Sequence, residues 1–243
     1  MTAARRLIVD ADDFGASVGV NRGILEAHAR GIVTSASLLV QRAAARDAVQ
    51  AARAYPALGL GLHFDLTGEA GPPFDPEDSA AVRGQLQGQF EAFLRLVGRP
   101  PTHVDSHHHI NRHRAIAPVF FDFCARRGLP ARSSGAVPFI GWFYGHAPPE
   151  YLRTDLYYVS VPFLAALLRD LPPGVSELGC HPGYATPDFS SPYLAEREAE
   201  LRTLTDPRIV ALIRELDISL VNYRSLPGQE RADELTSWWA DEP

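Results

Sequence analysis

The stretch "RLIVDAD", residues 6–12, decides how this chain is read. A short apolar run rich in branched residues predicts a buried strand. That strand ends in charge, because the chain runs on as "DADDFG" over residues 10–15. Successive strand side chains point to opposite faces, so Asp12 and Asp13 share one only where the backbone turns, and Gly15 offers that turn. One carboxylate is then placed to bind a metal and its neighbour to hold a proton. Acids at a strand end also occur as loop polarity or helix caps.

Outward from this strand the pattern alternates. Ser17 is placed to cap a helix, "VGVNRGILEAHARG", and Gly31 stands where a C-cap glycine belongs. Further strands are expected at 34–40, 58–64, 102–107, 129–134, 174–181 and 217–223. Helices are expected at 42–55, through "VRGQLQGQFEAFLRLVG", at 114–127 and near 161–171, with others around the last two strands. A Pro/Gly-rich loop covers 67–76, and a long aromatic loop, "VPFIGWFYGHAPPEY", precedes the helix near 161. Seven strands alternating with helices imply parallel pairing and helix-covered faces. A doubly wound sheet and a barrel both satisfy this. Asp12, His63, His107 and His181 each close a different predicted strand. In a barrel those carboxyl ends converge on one mouth, where βα loops build active sites. The expected fold is therefore a deformed or incomplete (β/α) barrel of about seven parallel strands. With no repeat, low-complexity tract or linker, residues 1–243 form one domain.

Composition narrows the function. The 243 residues are 46% hydrophobic, which suits a chain with a packed core. A net charge of −6 leaves no basic surplus for a phosphate backbone, so nucleic acid is not expected as a main partner. Runs such as "ASLLV" and "LAALL" are too short for a membrane span. The first residues, "MTAARRLIVDADD", lack the apolar centre of a secretory signal, and Cys124 and Cys180 make no disulfide framework. A cytoplasmic location is the expectation.

The histidines carry the chemistry. "VDSHHHINRH", residues 104–113, holds four of the nine in the chain. If the strand persists, Asp105, His107 and His109 share one face, and His107 lies nearest the strand end. Asp105 is then placed to support a metal-bound imidazole. A histidine run also decorates solvated loops, and a lone strand-end histidine such as His63 is often a structural residue. Taken together, these strand ends bring one aspartate and two histidines around an ion, with positions left for water and substrate. That is the open coordination of a catalytic metal. Whether His109 or His113 assists it is left open.

The ordered motifs "DADDFG", "GLHFDLT", "THVDSHHHI" and "ELGCHPGY", with the late "NYRSL", resemble those of the YdjC-like carbohydrate deacetylase family. Its members include chito-oligosaccharide deacetylases, and its mechanism is similar to that of polysaccharide deacetylases, which have a deformed β/α barrel. The resemblance runs from about residue 5 to about residue 226. It implies Asp12 as general base, Asp13, His63 and His107 as ligands of one divalent ion, and His181 as general acid. Two departures stand out: Asp10 replaces a usual asparagine, and Asn111 replaces a histidine often found four residues after His107. The second makes His63 more necessary.

The implied reaction is hydrolysis of the N-acetyl group of an amino sugar in an oligosaccharide, glycoconjugate or natural product. The alternatives are another barrel metallohydrolase, acting on a phosphoester or an amide, and a non-catalytic glycan-binding barrel. Zinc and magnesium both suit the ligand set, as do manganese and cobalt. Trp142, Phe143 and Tyr144 lie together where an aromatic face can stack on a sugar, or can simply pack the loop. Arg132 is a candidate substrate contact, with a salt bridge to a nearby acid as its alternative. Cys180 beside His181 suggests a dyad, but adjacent strand residues face apart and a buried thiol accounts for it better. Oligomeric state is open; in a homodimer a neighbouring subunit would complete loops at the mouth.

Overall fold

The computed structural model describes residues 4–68, 75–147 and 153–226. Parts of the two expected long loops, and any helix after residue 226, lie outside these residues. Seven strands form one parallel sheet: β1 (Arg5–Phe14), β2 (Ser35–Leu38), β3 (Gly59–Phe64), β4 (Val104–Ser106), β5 (Phe139–Ile140), β6 (Gly174–Cys180) and β7 (Ile218–Leu220). The order is β4-β3-β2-β1-β6-β5, with β7 also paired to β1. Strand β1 is the hub. One edge pairs with β6 from Arg5 to Ala11, while the other pairs first with β7 and then, from Asp10, with β2. Helices α1 (Val18–Arg30), α2 (Ala45–Ala52), α3 (Ser79–Val97), α4 (Ala117–Arg126), α5 (Val161–Arg169), α6 (Leu194–Leu204) and α7 (Pro207–Glu215) complete the described fold.

Residue alternation divides the sheet into two chemically different faces. On β1, Leu7, Val9 and Ala11 join the apolar core, as do Ala36 and Leu38 on β2 and Leu60, Leu62 and Phe64 on β3. The opposite face is followed through the strand register: Ile8 beside Glu177, Asp10 beside Ser35, Ser35 beside Gly59, and His63 beside Asp105. Apart from Ile8, the residues followed on that face are polar or small, and it forms the barrel interior. Glycine at 61 is required there, since a Cβ would lie 2.3 Å from the His103 ring. The other side of that ring is covered by Tyr223, stacked at 3.9 Å.

The curl does not close by a continuous ladder. The segment 129–134, expected as a fifth strand, contributes one bridge, Ala131 to Val104, and then turns, with Ser133 in left-handed conformation at φ 63°. The fifth strand is instead Phe139–Ile140, which pairs with β6. The barrel is incomplete at this point, in agreement with the expected fold class.

The end of β1 departs from regular geometry. Between Ala11 and Phe14 the strand takes three steps while β2 takes two, from Ala36 to Leu38. This bulge centres on Asp13, whose φ is 67°, a conformation that aspartate tolerates better than most residues. Asp13 itself, more than Gly15, therefore brings both carboxylates to the interior. Asn21 fixes the turn, accepting from the Gly15 N–H at 2.7 Å and donating to the Ala44 carbonyl at 3.1 Å. The Ser17 cap is present, accepting from Val20 N–H at 3.0 Å. Among the described residues no helix is long and apolar enough to cross a membrane.

Gly61→Ala should cost about 1–3 kcal/mol of stability, the usual range for overpacking a closed interior. Urea denaturation measures it, and an unchanged midpoint would show that the His103 ring is not confined as described.

Candidate active site

Asp12, Asp13, His63, His107 and His181, expected at the ends of separate strands, line one cavity of about 550 Å³. Asp13, His63 and His107 each offer a ligand atom, and these atoms lie within 4.8 Å of one another. Asp13 Oδ1 is the meeting point, 3.4 Å from His63 Nε2 and 3.0 Å from His107 Nδ1. It is buried and accepts no hydrogen bond of good geometry. Its partner oxygen, Oδ2, accepts from Arg197 Nη2 at 2.5 Å, which leaves Oδ1 directed at the two imidazoles. One carboxylate oxygen with two imidazole nitrogens is a donor set that divalent ions accept.

The support behind His63 follows from register. His63 and Asp105 are paired on adjacent parallel strands, so Nδ1 meets Asp105 Oδ1 at 2.8 Å, leaving Nε2 for the cavity. Burial pushes the His63 imidazolium down, but the charges of Asp105 and Asp12 outweigh it and hold the pKa well above the usual histidine value. For Asp13, burial opposes ionisation while Arg197 and His107 favour it, and its carboxyl stays well below the ordinary range. Without an ion, a proton on His63 occupies the place of positive charge.

Arg132 is a correction to its expected place at the substrate. Its side chain is fully enclosed, and the salt-bridge alternative is the one the structure shows. Nη1 and Nη2 each donate to Asp12 at 2.7 Å, in a two-point clamp. Nη2 also reaches Asp10 at 3.0 Å, Nη1 lies 3.0 Å from Asp105, and Nε donates to Glu177 at 2.5 Å. Burial raises the Asp12 pKa, yet Arg132 more than offsets this and the net shift is downward, so Asp12 is an anion at neutral pH. Asp10, the departure noted in the motif, is absorbed here as well, accepting from Ser37 at 3.1 Å and meeting His103 Nε2 at 2.7 Å. Two other triads with metal-like spacing, Asp10–His103–Asp105 and Asp12–His63–Asp105, draw on carboxylates that Arg132 already bonds.

His181 stands opposite, its Nε2 3.7 Å from Asp12 Oδ2 and its side chain partly open to the cavity. Its Nδ1 is 3.8 Å from Glu200 Oε1, and Glu200 also accepts from the His181 N–H and from the Tyr193 hydroxyl. Burial lowers the pKa of His181, but Glu200, Asp12 and Asp13 outweigh it and raise it above the usual value. Tyr193 in turn accepts from the Gly145 N–H at 2.5 Å and stacks on Tyr144 at 4.5 Å, tying the aromatic loop to α6. All three aromatics of that loop line the cavity but differ in exposure: Phe143 is buried, Tyr144 half-buried and Trp142 59% exposed. His109 also lines the cavity, whereas His113 is exposed and outside its lining. Cys180 is wholly buried, and its thiol is pushed well above its ordinary pKa by burial.

Arg197, Glu200, Glu177 and His103 were not anticipated. Arg197 and Glu200 are buried on α6, but in sequence "EREAELR" is indistinguishable from a solvated charged helix. Glu177 and His103 had a signal, the alternation of polar with apolar residues in "SELGC" and "HVDSH".

A profile described as "YdjC-like protein" matches residues 6–215. A carbohydrate deacetylase of Geobacillus stearothermophilus is 35% identical, over 90% of this chain and 97% of its own. A chitooligosaccharide deacetylase of Serratia marcescens is 33% identical, over 90% and 98%. Among solved structures, a family 4 carbohydrate esterase from Streptomyces lividans, in complex with acetate, shares the fold with a TM-score of 0.58, at 13% identity over 90% of this chain and 93% of that one. With four of its motifs represented around one cavity and most of its length matched, this chain belongs to the YdjC-like protein family.

Proposed function

We propose that the chain is a metal-dependent carbohydrate deacetylase that hydrolyses the N-acetyl group of an amino sugar. The observation carrying this reading is the arrangement of three groups around one cavity: the Asp13–His63–His107 triad, the clamped Asp12, and His181 only 3.7 Å from Asp12. The relatives named as carbohydrate and chitooligosaccharide deacetylases support it.

Asp13, His63 and His107 would hold a divalent ion, which would supply Lewis acidity to an acyl oxygen and to the attacking water near neutral pH. Asp12, ionised and unable to rotate within the Arg132 clamp, accepts the proton that the attacking water gives up. Glu200 and the nearby aspartates favour the charged form of His181 against the cost of its burial, which raises its pKa and suits it to hold a proton. It donates that proton to the departing amine nitrogen, which leaves poorly as an anion. Trp142 offers an exposed indole face at the cavity lip on which a sugar ring stacks. A glycan-binding barrel without turnover has no use for a clamped base facing a protonated imidazole. A two-ion phosphoesterase would need carboxylates that Arg132 has already taken.

Acetate release from N-acetylated chito-oligosaccharides should be chelator-sensitive. Asp12→Asn and His181→Gln should each lower kcat by about 10²–10⁴-fold, the worth of a positioned base or acid, with bound metal unchanged by elemental analysis. Loss of metal in either variant would move that residue into the ligand set.

Metal affinity should depend on pH with a defined sign. His63 has a raised pKa, so the ion must displace its proton; affinity climbs as pH rises toward that pKa and levels above it. Calorimetry in buffers of different ionisation enthalpy should register proton release near neutral pH, and its absence would contradict the protonated His63. Turnover, in contrast, should fall as pH rises through the raised pKa of His181. Glu200→Gln should move that alkaline limb to lower pH, and an unmoved limb would remove His181 as the acid.

A further inference from the structure

Three consecutive histidines follow β4, and the reading above uses only the first. Directly after His107 the backbone takes left-handed conformation twice, at His108 (φ 53°, ψ 22°) and His109 (φ 51°, ψ 34°). Side chains with a Cβ rarely adopt this conformation, and two in succession are rarer still. Such strain persists where a function needs the side chains it places. His108 is turned to the rim, with Nδ1 2.9 Å from the Thr67 hydroxyl. His109 is turned into the cavity wall, on the same surface as Asp12 and His181.

The two ring nitrogens of His109 differ in a useful way. Nδ1 is enclosed and has no hydrogen-bond partner among the described residues. No described group bonds Nε2 either, but it is not among the enclosed atoms, so on a cavity-lining residue it opens to the cavity. An enclosed N–H without an acceptor costs more than an enclosed lone pair, which places the proton of the neutral ring on Nε2. The ring is held by the edge of Phe139, 5.5 Å away and inclined at 73°. Phe139 is itself fixed beneath the Arg132 guanidinium at 4.8 Å. The result is a rigid donor aimed at whatever fills the cavity.

We propose that His109 is a substrate-contact residue, donating from Nε2 to an oxygen of the bound acetylated sugar, and that the left-handed turn exists to place it. This rests on the deacetylase reading and extends it to a residue outside the metal, base and acid. His109→Asn is the informative variant, because asparagine takes left-handed backbone readily but does not reach as far into the cavity.

If His109 serves substrate, His109→Asn should melt at or above the parent temperature and keep its metal. Its kcat/KM for an N-acetylated chito-oligosaccharide should fall by about 5- to 100-fold, the range for one lost hydrogen bond to a buried group. Calorimetric binding of the same sugar to Asp12→Asn protein should weaken by a similar factor when His109→Asn is added. A variant within twofold of the parent in both measurements would overturn the assignment while leaving the deacetylase reading intact. A variant that loses metal would make His109 part of the ion site and overturn it too. If the parent neither hydrolyses nor binds any acetylated sugar, both readings fall together.

Discussion

Four N–H bonds radiate from the guanidinium of Arg132 to the carboxylates of Asp10, Asp12 and Glu177, and the Asp105 carboxylate lies 3.0 Å from Nη1 as a further ion pair inside the barrel. A planar fork held by four hydrogen bonds on three carboxylates has little freedom left to rotate. Asp12, which lines the cavity, is therefore held in one orientation, and so is Asp105, which braces His63 from behind. The proposed base, Asp12, and the proposed cation site are mechanically one unit. Removing one member of so buried a set leaves an uncompensated charge, which costs about 3–5 kcal/mol in comparable settings. Charge this deep is tolerable only because the network is nearly complete.

The network exists because the strands alternate. Apolar residues on one face bind the helices, and residues on the other are polar or small enough to admit an arginine and a histidine into the interior. A regular strand would send Asp13 to the apolar side, beside Ala11. The bulge at the end of β1 adds one residue and returns it to the interior, so that adjacent aspartates do different chemistry side by side. One is bound by Arg132 and faces water; the other is bound by Arg197 and faces the two imidazoles.

Much of this was legible in the chain itself. Strands ending in Asp12, His63, His107 and His181 announced both a barrel and a shared mouth; Asp105 signalled a brace for an imidazole, and the ring it holds is that of His63 on the neighbouring strand. Arg132 was harder, because an arginine near a strand end serves substrate or acid equally well until its depth is known. The strand expected around it failed for a local reason, the left-handed Ser133. Glu200 and Arg197 were invisible, since a charged helix turned toward solvent and one turned toward a buried site look alike in sequence. Trp142 and Phe143 are adjacent and similar, yet only coordinates separate the exposed one from the packed one.

The central claim is that the interior offers a single cation position, set apart from the base by the arginine clamp. Zinc-soaked crystals with anomalous diffraction at the zinc edge test it most directly. The account predicts one peak bonded to Asp13, His63 and His107 at about 2.0–2.2 Å, with Asp12 still bound on both oxygens by Arg132. A peak on Asp12 with the guanidinium displaced, or two peaks sharing the Asp10 and Asp105 carboxylates, would contradict it.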